Sequence, residues 1–409
     1  MSAGVRPPVS ERKLVFLIGA GQFIGTLDFT IVLPLGPDFA KALGIPASKL
    51  GMVGGSYTAA LAVAAIAGAF FLDRFDRRRA LAVALTGLVV ATAACGLATG
   101  FVGLLLARMV AGAFGGIADT LAFVLVSDAV APERRGRAIG ALQSWSAVAS
   151  VLGVPAGLEL ARVGGWRAPF FALAALGAVI AVAVISTLPP QRAHLLARPV
   201  PFGQLLSRRL VWLGLTATAI GMMAHYLLVP NLSAYIQFNL GYPRDQLGLI
   251  YMIGGAFVFG TGWLSGWLGD RFSAPPVTVF GTTLYTAVLI LGFIYPSDAM
   301  PVLVVFVSFM ISSGLRFIPF LALVSRIPGP QERARFMSAQ SAVSWIAAAS
   351  GAMLGAQVLS EQPDGSLAGI DDLAWLAIAM TFAYSALVYV TERRLRAHAA
   401  RSARDTSTA

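Results

Sequence analysis

Asp28 lies in the apolar run Thr26-Leu27-Asp28-Phe29-Thr30-Ile31-Val32-Leu33-Pro34, where no water is at hand to solvate its charge. A carboxylate in such a place either takes up a proton or meets a fixed cation, so it is a functional candidate. Four more ionisable residues have equally apolar surroundings: Arg108 and Asp119 in one stretch, His225 in a second and Arg316 in a third. Arg108, Gly112, Gly115 and Asp119 recur at helical spacing and share one face. Arg108 and Asp119 would stand about 16 Å apart along the axis, too far to pair. Each needs another partner, and Asp28 has a depth between them. The plainer reading of all five is a buried ion pair or a histidine satisfied by a backbone carbonyl, which adds little net stability.

These residues sit in a chain that repeats itself. Sliding Leu43-Gly44-Ile45-Pro46 onto Leu240-Gly241-Tyr242-Pro243 also lays Asp73-Arg74-Phe75 on Asp270-Arg271-Phe272, and Asp28 then falls on His225. Two half-length repeats with ionisable residues buried at matching positions imply two helical bundles with a solute path between them.

Of the 409 residues, 57% are hydrophobic and 12% charged, with mean hydropathy +0.77. Soluble domains carry about 25% charged residues. The composition predicts an all-α membrane protein of twelve transmembrane helices in two six-helix, pseudo-symmetric bundles. Apolar stretches of spanning length fall near 14–36, 49–72, 80–100, 102–126, 138–160, 168–188, 211–235, 247–269, 277–296, 301–325, 337–359 and 373–391. The expected organisation is a cytoplasmic tail (1–13), a first bundle (14–188), a Pro-rich cytoplasmic linker (189–210), a second bundle (211–391) and a second cytoplasmic tail (392–409).

The net charge of +11 does not mark a nucleic-acid binder. With the N-terminus inside, only Lys41, Lys49, Arg162, Arg167 and Arg244 fall in outer segments and Arg108 and Arg316 within spans; the rest of the 30 Lys and Arg lie inside. That bias places both termini in the cytoplasm of a multi-pass protein of a bacterial-type inner membrane, with basic residues facing anionic lipids. Cys95 is the only cysteine, and the three histidines, His194, His225 and His398, have no clustered acidic partner. No metal, cofactor or enzyme chemistry is implied, and a monomer is expected.

After the second span comes Ala69-Phe70-Phe71-Leu72-Asp73-Arg74-Phe75-Asp76-Arg77-Arg78-Arg79, which resembles the signature loop of the major facilitator superfamily. The resemblance covers nearly the whole chain, although Ala69 and Asp76 stand where the family pattern has glycine. A weaker copy is Gly266-Trp267-Leu268-Gly269-Asp270-Arg271. The resemblance implies a cytoplasmic gate of Asp73, Arg74 and Arg77 with Asp128, echoed by Asp270 and Arg271. Arg108 to Gly112 is similar to an Arg-x-x-x-Gly element of proton-coupled members. Gly153-Val154-Pro155-Ala156-Gly157 looks like the bend of antiporters, in a form similar to that of arabinose- and sugar-efflux-like permeases, with Val154 interrupting the usual Gly-Pro.

In this family the first helix of each three-helix repeat lines the cavity, and helices 1, 4, 7 and 10 are those holding Asp28, Arg108 and Asp119, His225, and Arg316. The expectation is a transporter working by alternating access, a proton-coupled exporter of small organic molecules. Asp28 with Arg108 would carry the proton, and Asp119, His225, Tyr226 and Arg316 would line the substrate cavity. A nutrient-importing symporter, an uncoupled facilitator and a non-transporting scaffold are the alternatives.

Overall fold

A computed structural model describes residues 10–71, 75–130, 135–189, 207–297, 299–328 and 333–407; within these, some side chains, including those of Asp128 and Asp270, are not described. Among the described residues, twelve helices are long and apolar enough to cross a membrane. They are α1 (Glu11–Leu43), α2 (Leu50–Phe71), α3 (Arg77–Leu97), α4 (Phe101–Ala129), α5 (135–164), α6 (Ala168–Thr187), α7 (Arg209–Asn239), α8 (Leu247–Phe272), α9 (Ala274–Ile294), α10 (Val302–Val324), α11 (Arg333–Val358) and α12 (Ile370–Ser407). A short hairpin, β1 (Ser360–Glu361) with β2 (Leu367–Ala368), lies between α11 and α12.

Local chemistry sets where these helices start and stop. Ser10 accepts from the Lys13 backbone N–H at the start of α1, and Asp76 accepts from the Arg78 N–H at 3.0 Å at the start of α3. Gly44, at φ +64°, closes α1 by returning its N–H to the Ala40 carbonyl. Arg167 donates to the carbonyls of Gly96 and Ala98, both at 3.0 Å, satisfying acceptors that the end of α3 leaves open.

Several helices depart from the regular spans expected from hydropathy. α1 runs on through Pro34 and Pro37 to Leu43. In α5 a wide turn at Ala149–Gly153 precedes Pro155, whose ring would otherwise press on the carbonyl of Val151, four residues back. In α7 the regular helix ends at Tyr226, and a turn at Val229–Asn231 accommodates Pro230, which has no N–H to give. A bilayer-spanning helix tolerates such breaks only where neighbouring protein covers the freed backbone groups.

The chain divides into two compact units, Met1–Pro199 and Val200–Ala409. In the first, α4 packs on α2 and α3, α1 on α5, and α6 on α3. Its core includes Leu17, Leu85, Leu121, Leu142 and Val184. In the second, α10 packs on α8 and α9, and α7 on α11 and α12, around Val211, Phe320, Val324, Phe336, Tyr384 and Val388. Large apolar side chains such as Val90, Leu106 and Val179 in the first unit and Phe280, Leu291 and Phe382 in the second remain exposed, which lipid tails tolerate.

Glycines permit the tightest approaches. A Cβ on Gly112 of α4 would overlap the Tyr57 carbonyl of α2, and one on Gly116 would lie 2.5 Å from the Leu61 carbonyl. On α5, Gly153 and Gly157 seat the side chains of Leu27 and Ile31, which flank Asp28 in α1. The same device recurs in the second unit, where Gly351 and Gly355 of α11 meet the carbonyls of Met223 and Leu227, on either side of His225 in α7. Small residues at such crossings allow dispersion contacts that lipid-solvated helices cannot obtain by hydrophobic exclusion.

Candidate functional site

Asp28 and Arg108 meet inside the first unit. Arg108 donates from Nη1 to Asp28 Oδ2 at 2.9 Å, and both side chains are fully buried. The Thr92 hydroxyl of α3, whose one proton is shared between two acceptors, donates to the other carboxylate oxygen at 2.7 Å and to the Leu88 carbonyl of its own helix at 2.8 Å. The guanidinium carbon of Arg108 lies 4.1 Å from the Tyr57 ring centroid, and Tyr57 stacks on Phe29 at 5.5 Å. Gly115 leaves the space that the Tyr57 hydroxyl occupies, since a Cβ there would lie 2.6 Å from it. Four helices therefore hold the pair: α1 supplies the acid, α4 the base, α3 a hydroxyl and α2 an aromatic face.

Removing one member of such a buried pair strands the other charge at a cost of about 3–5 kcal/mol. The pair is also incomplete, because Arg108 Nε and Nη2 have no hydrogen-bond partner. An arginine that spends one of its five N–H groups on a carboxylate holds it less rigidly than a two-bond fork does.

Asp119 does not pair with Arg108. It accepts from Gln22 Nε2 at 2.5 Å, six residues before Asp28 on α1. Thr26, between Gln22 and Asp28 along α1, shares a hydrogen bond of 3.0 Å with Ser146 that joins α1 to α5.

In the second unit, the repeat partner of Asp28 behaves differently. His225 stacks on Phe309 at 5.6 Å and 16°, meets Phe317 and Tyr226 edge-on, and has its Nδ1 3.4 Å from the Ser313 hydroxyl. Arg316 is fully buried, its guanidinium carbon 4.2 Å from the Tyr285 centroid, 5.5 Å from Phe317 and 5.6 Å from Tyr384. None of its three guanidinium nitrogens makes a hydrogen bond. Tyr384 instead donates to the Arg316 carbonyl at 3.0 Å.

The gate expected at the signature loop falls largely outside the described residues: Asp73 and Arg74 lie there, as do the side chains of Asp128 and Asp270. Arg77 is buried at the start of α3, Arg78 donates to the Ile185 carbonyl, and Arg271 lies 5.5 Å from the Trp267 ring. Among the described residues no cluster of three metal-ligating side chains occurs.

Sequence reasoning missed Thr92, Tyr57 and Gln22 in the first unit and Tyr285, Phe309, Tyr384 and Asn231 in the second. Neutral hydroxyls and aromatics are common in spanning helices, so position alone does not single them out. Asn231 is the clearest omission, being fully buried with both side-chain ends unpaired in the break of α7. Gly351 and Gly355 carried a usable signal, because the shift that lays Arg137 on Arg335 also lays Gly153 on Gly351 and Gly157 on Gly355.

Among the described residues, twelve apolar helices, six in each unit, describe a multi-pass membrane protein. The Major Facilitator Superfamily model matches residues 18–352, and the chain belongs to that family. It is 23% identical over 315 residues to the putative transporter AraJ of Escherichia coli K12, covering 74% of this chain and 77% of that protein. It is 27% identical over 266 residues to a chloramphenicol resistance protein of Streptomyces lividans, covering 64% and 67%. Its fold resembles that of a D-xylose–proton symporter (TM-score 0.75, 14% identity, 92% and 97% covered). A bacterial homologue of the lysosomal transporter Spinster is similarly close (0.74, 18%, 95% and 98%). The family transports small molecules and is not enzymatic.

Proposed function

We propose that this transporter exports small organic molecules in exchange for protons. The observation that carries this reading is the sealed Asp28–Arg108 pair, held by Thr92 and Tyr57. A carboxylate beside a guanidinium stays ionised, whereas one moved into apolar surroundings takes up a proton. A change in α1 against α4 that lengthens the 2.9 Å contact therefore converts a conformational step into proton uptake, and its reversal into release. The wide turn before Pro155 and the glycines that seat α5 beside Asp28 supply a place for such a change.

The outward direction draws support from the likeness to the chloramphenicol resistance protein and from the Gly153, Pro155 and Gly157 element. In this reading both termini face the cytoplasm, Asp119, His225 and Tyr226 contact solute, and Asp73, Arg74 and Arg77 with Asp128, Asp270 and Arg271 form the cytoplasmic gate. The test is solute flux in proteoliposomes under an imposed pH gradient, with a pH-sensing dye reporting proton movement. Export predicts solute uptake into inside-out vesicles acidified within. Uptake into right-side-out vesicles driven by an inward proton gradient would instead identify a symporter, and flux indifferent to the gradient a facilitator.

A further inference from the structure

We propose that the second six-helix unit contains an acceptor for a solute carboxylate, with Arg316 as its anchoring cation. The proposal rests on reading the protein as a solute transporter and names a chemical class for what it carries. Arg316 stands in the middle of α10, fully buried, and Nε, Nη1 and Nη2 are all without a hydrogen-bond partner. An arginine does not shed its proton in a protein, so the charge is permanent. The faces of Tyr285, Phe317 and Tyr384 surround the guanidinium at 4.2, 5.5 and 5.6 Å. The rings attract the cation through their π faces, but neither tyrosine hydroxyl accepts from it, the Tyr285 hydroxyl having no hydrogen-bond partner and that of Tyr384 donating to the Arg316 carbonyl, so its donor edges stay unmet.

Arg108 shows what is missing. It too is fully buried over a tyrosine ring, at 4.1 Å, but it has Asp28 as a counter-ion. Among the described residues of the second unit no carboxylate is ion-paired with Arg316; Asp245, Asp364, Asp371 and Asp372 stand in loops or first helical turns, Glu361 in the exposed β1, and Glu392 pairs with Arg396. The internal repeat offers none either, because it sets His225 where the first unit has Asp28.

A single cation in an apolar setting is neutralised by a single negative charge, which favours a monoanionic carboxylate over a phosphate dianion. Guanidinium and carboxylate are matched as planar two-bond partners. The aromatic walls suit an apolar or aromatic body behind the acid group. Phe317, partly exposed and touching both Arg316 and the partly exposed His225, is the side chain that a ligand displaces to reach the arginine.

The test is equilibrium binding to the purified full-length protein without any gradient, read as thermal stabilisation and as half-saturating concentration. The probes are benzoate, phenylacetate and hexanoate, each against its neutral amide, with sodium chloride at matched ionic strength. The expected result is dose-dependent stabilisation by at least one carboxylate and by no amide, weakened about ten- to hundredfold in Arg316→Gln and partly kept in Arg316→Lys. Absence of carboxylate stabilisation in the unaltered protein overturns the proposal, as does an equal effect of the amides or an equal effect in Arg316→Gln. Stabilisation by chloride equal to that by carboxylates also overturns it, reducing the site to an inorganic counter-ion site. Should Arg316→Gln fail to fold, the acid-against-amide comparison and Arg316→Lys decide. Because no pH gradient enters, the outcome is independent of proton coupling and direction.

Discussion

Arg108 reaches Asp28 from about two helical turns into α4, and the two close an ion pair of 2.9 Å with no exposed side-chain surface. Only one guanidinium nitrogen is engaged, while Thr92 holds the second carboxylate oxygen. A pair sealed from water but joined by one bond is strongly favoured in place, yet separable by a small movement of either helix.

Asp28→Asn removes the exchangeable proton while preserving shape. Proton movement coupled to solute flux should disappear, whereas binding and gradient-free exchange should persist. Undiminished coupled flux in proteoliposomes would exclude Asp28 as the carrier and move attention to Asp119.

Arg108→Ala should destabilise the purified protein by about 3–5 kcal/mol, because Asp28 is left buried without its cation. Arg108→Lys should recover part of that stability but little transport, since an ammonium lacks the planar face that lies over Tyr57. Denaturation midpoints and flux measured on the same preparations separate the two effects.

Thr92→Val deletes one hydroxyl of nearly equal volume. A loss of about 1–3 kcal/mol is expected, the cost of leaving a charged acceptor short of a buried donor. No change in stability would show that the Thr92 proton does not serve Asp28 and resides instead on the Leu88 carbonyl at 2.8 Å.

Gly112→Ala and Gly355→Ala each bring a Cβ against backbone that has no rotamer with which to yield, the Tyr57 and Leu227 carbonyls respectively. Each should cost about 1–3 kcal/mol and slow transport. Gly25→Ala, on α1 with nothing within 4 Å, is the control and should be tolerated.

Asp73→Asn should lower transport without lowering expression if, as the signature-loop resemblance implies, this acid belongs to a cytoplasmic gate rather than to a buried span. Flux normalised to inserted protein checks this, and a fully active variant removes the gate assignment.

Hydropathy and the internal repeat were enough to read the architecture, because a bilayer demands about 20 apolar residues per crossing whatever the neighbours are. The cost of burying charge likewise made Asp28, Arg108, Asp119, His225 and Arg316 conspicuous in sequence. The coupling of Asp28 with Arg108 was legible through the family resemblance. The partner of Asp119 was not: it meets Gln22, because the crossing of α1 over α4 sets which depths coincide. The breaks in α5 and α7 follow from Pro155 and Pro230, but their extent depends on the helices that cover them. Arg316 shows the division most clearly: its presence in a span is a property of the sequence, whereas three aromatic faces and no carboxylate around it are properties of packing. Period and hydropathy are local and survive in a linear chain, while pairing across helices depends on rotation and depth, which exist only once the bundle has closed.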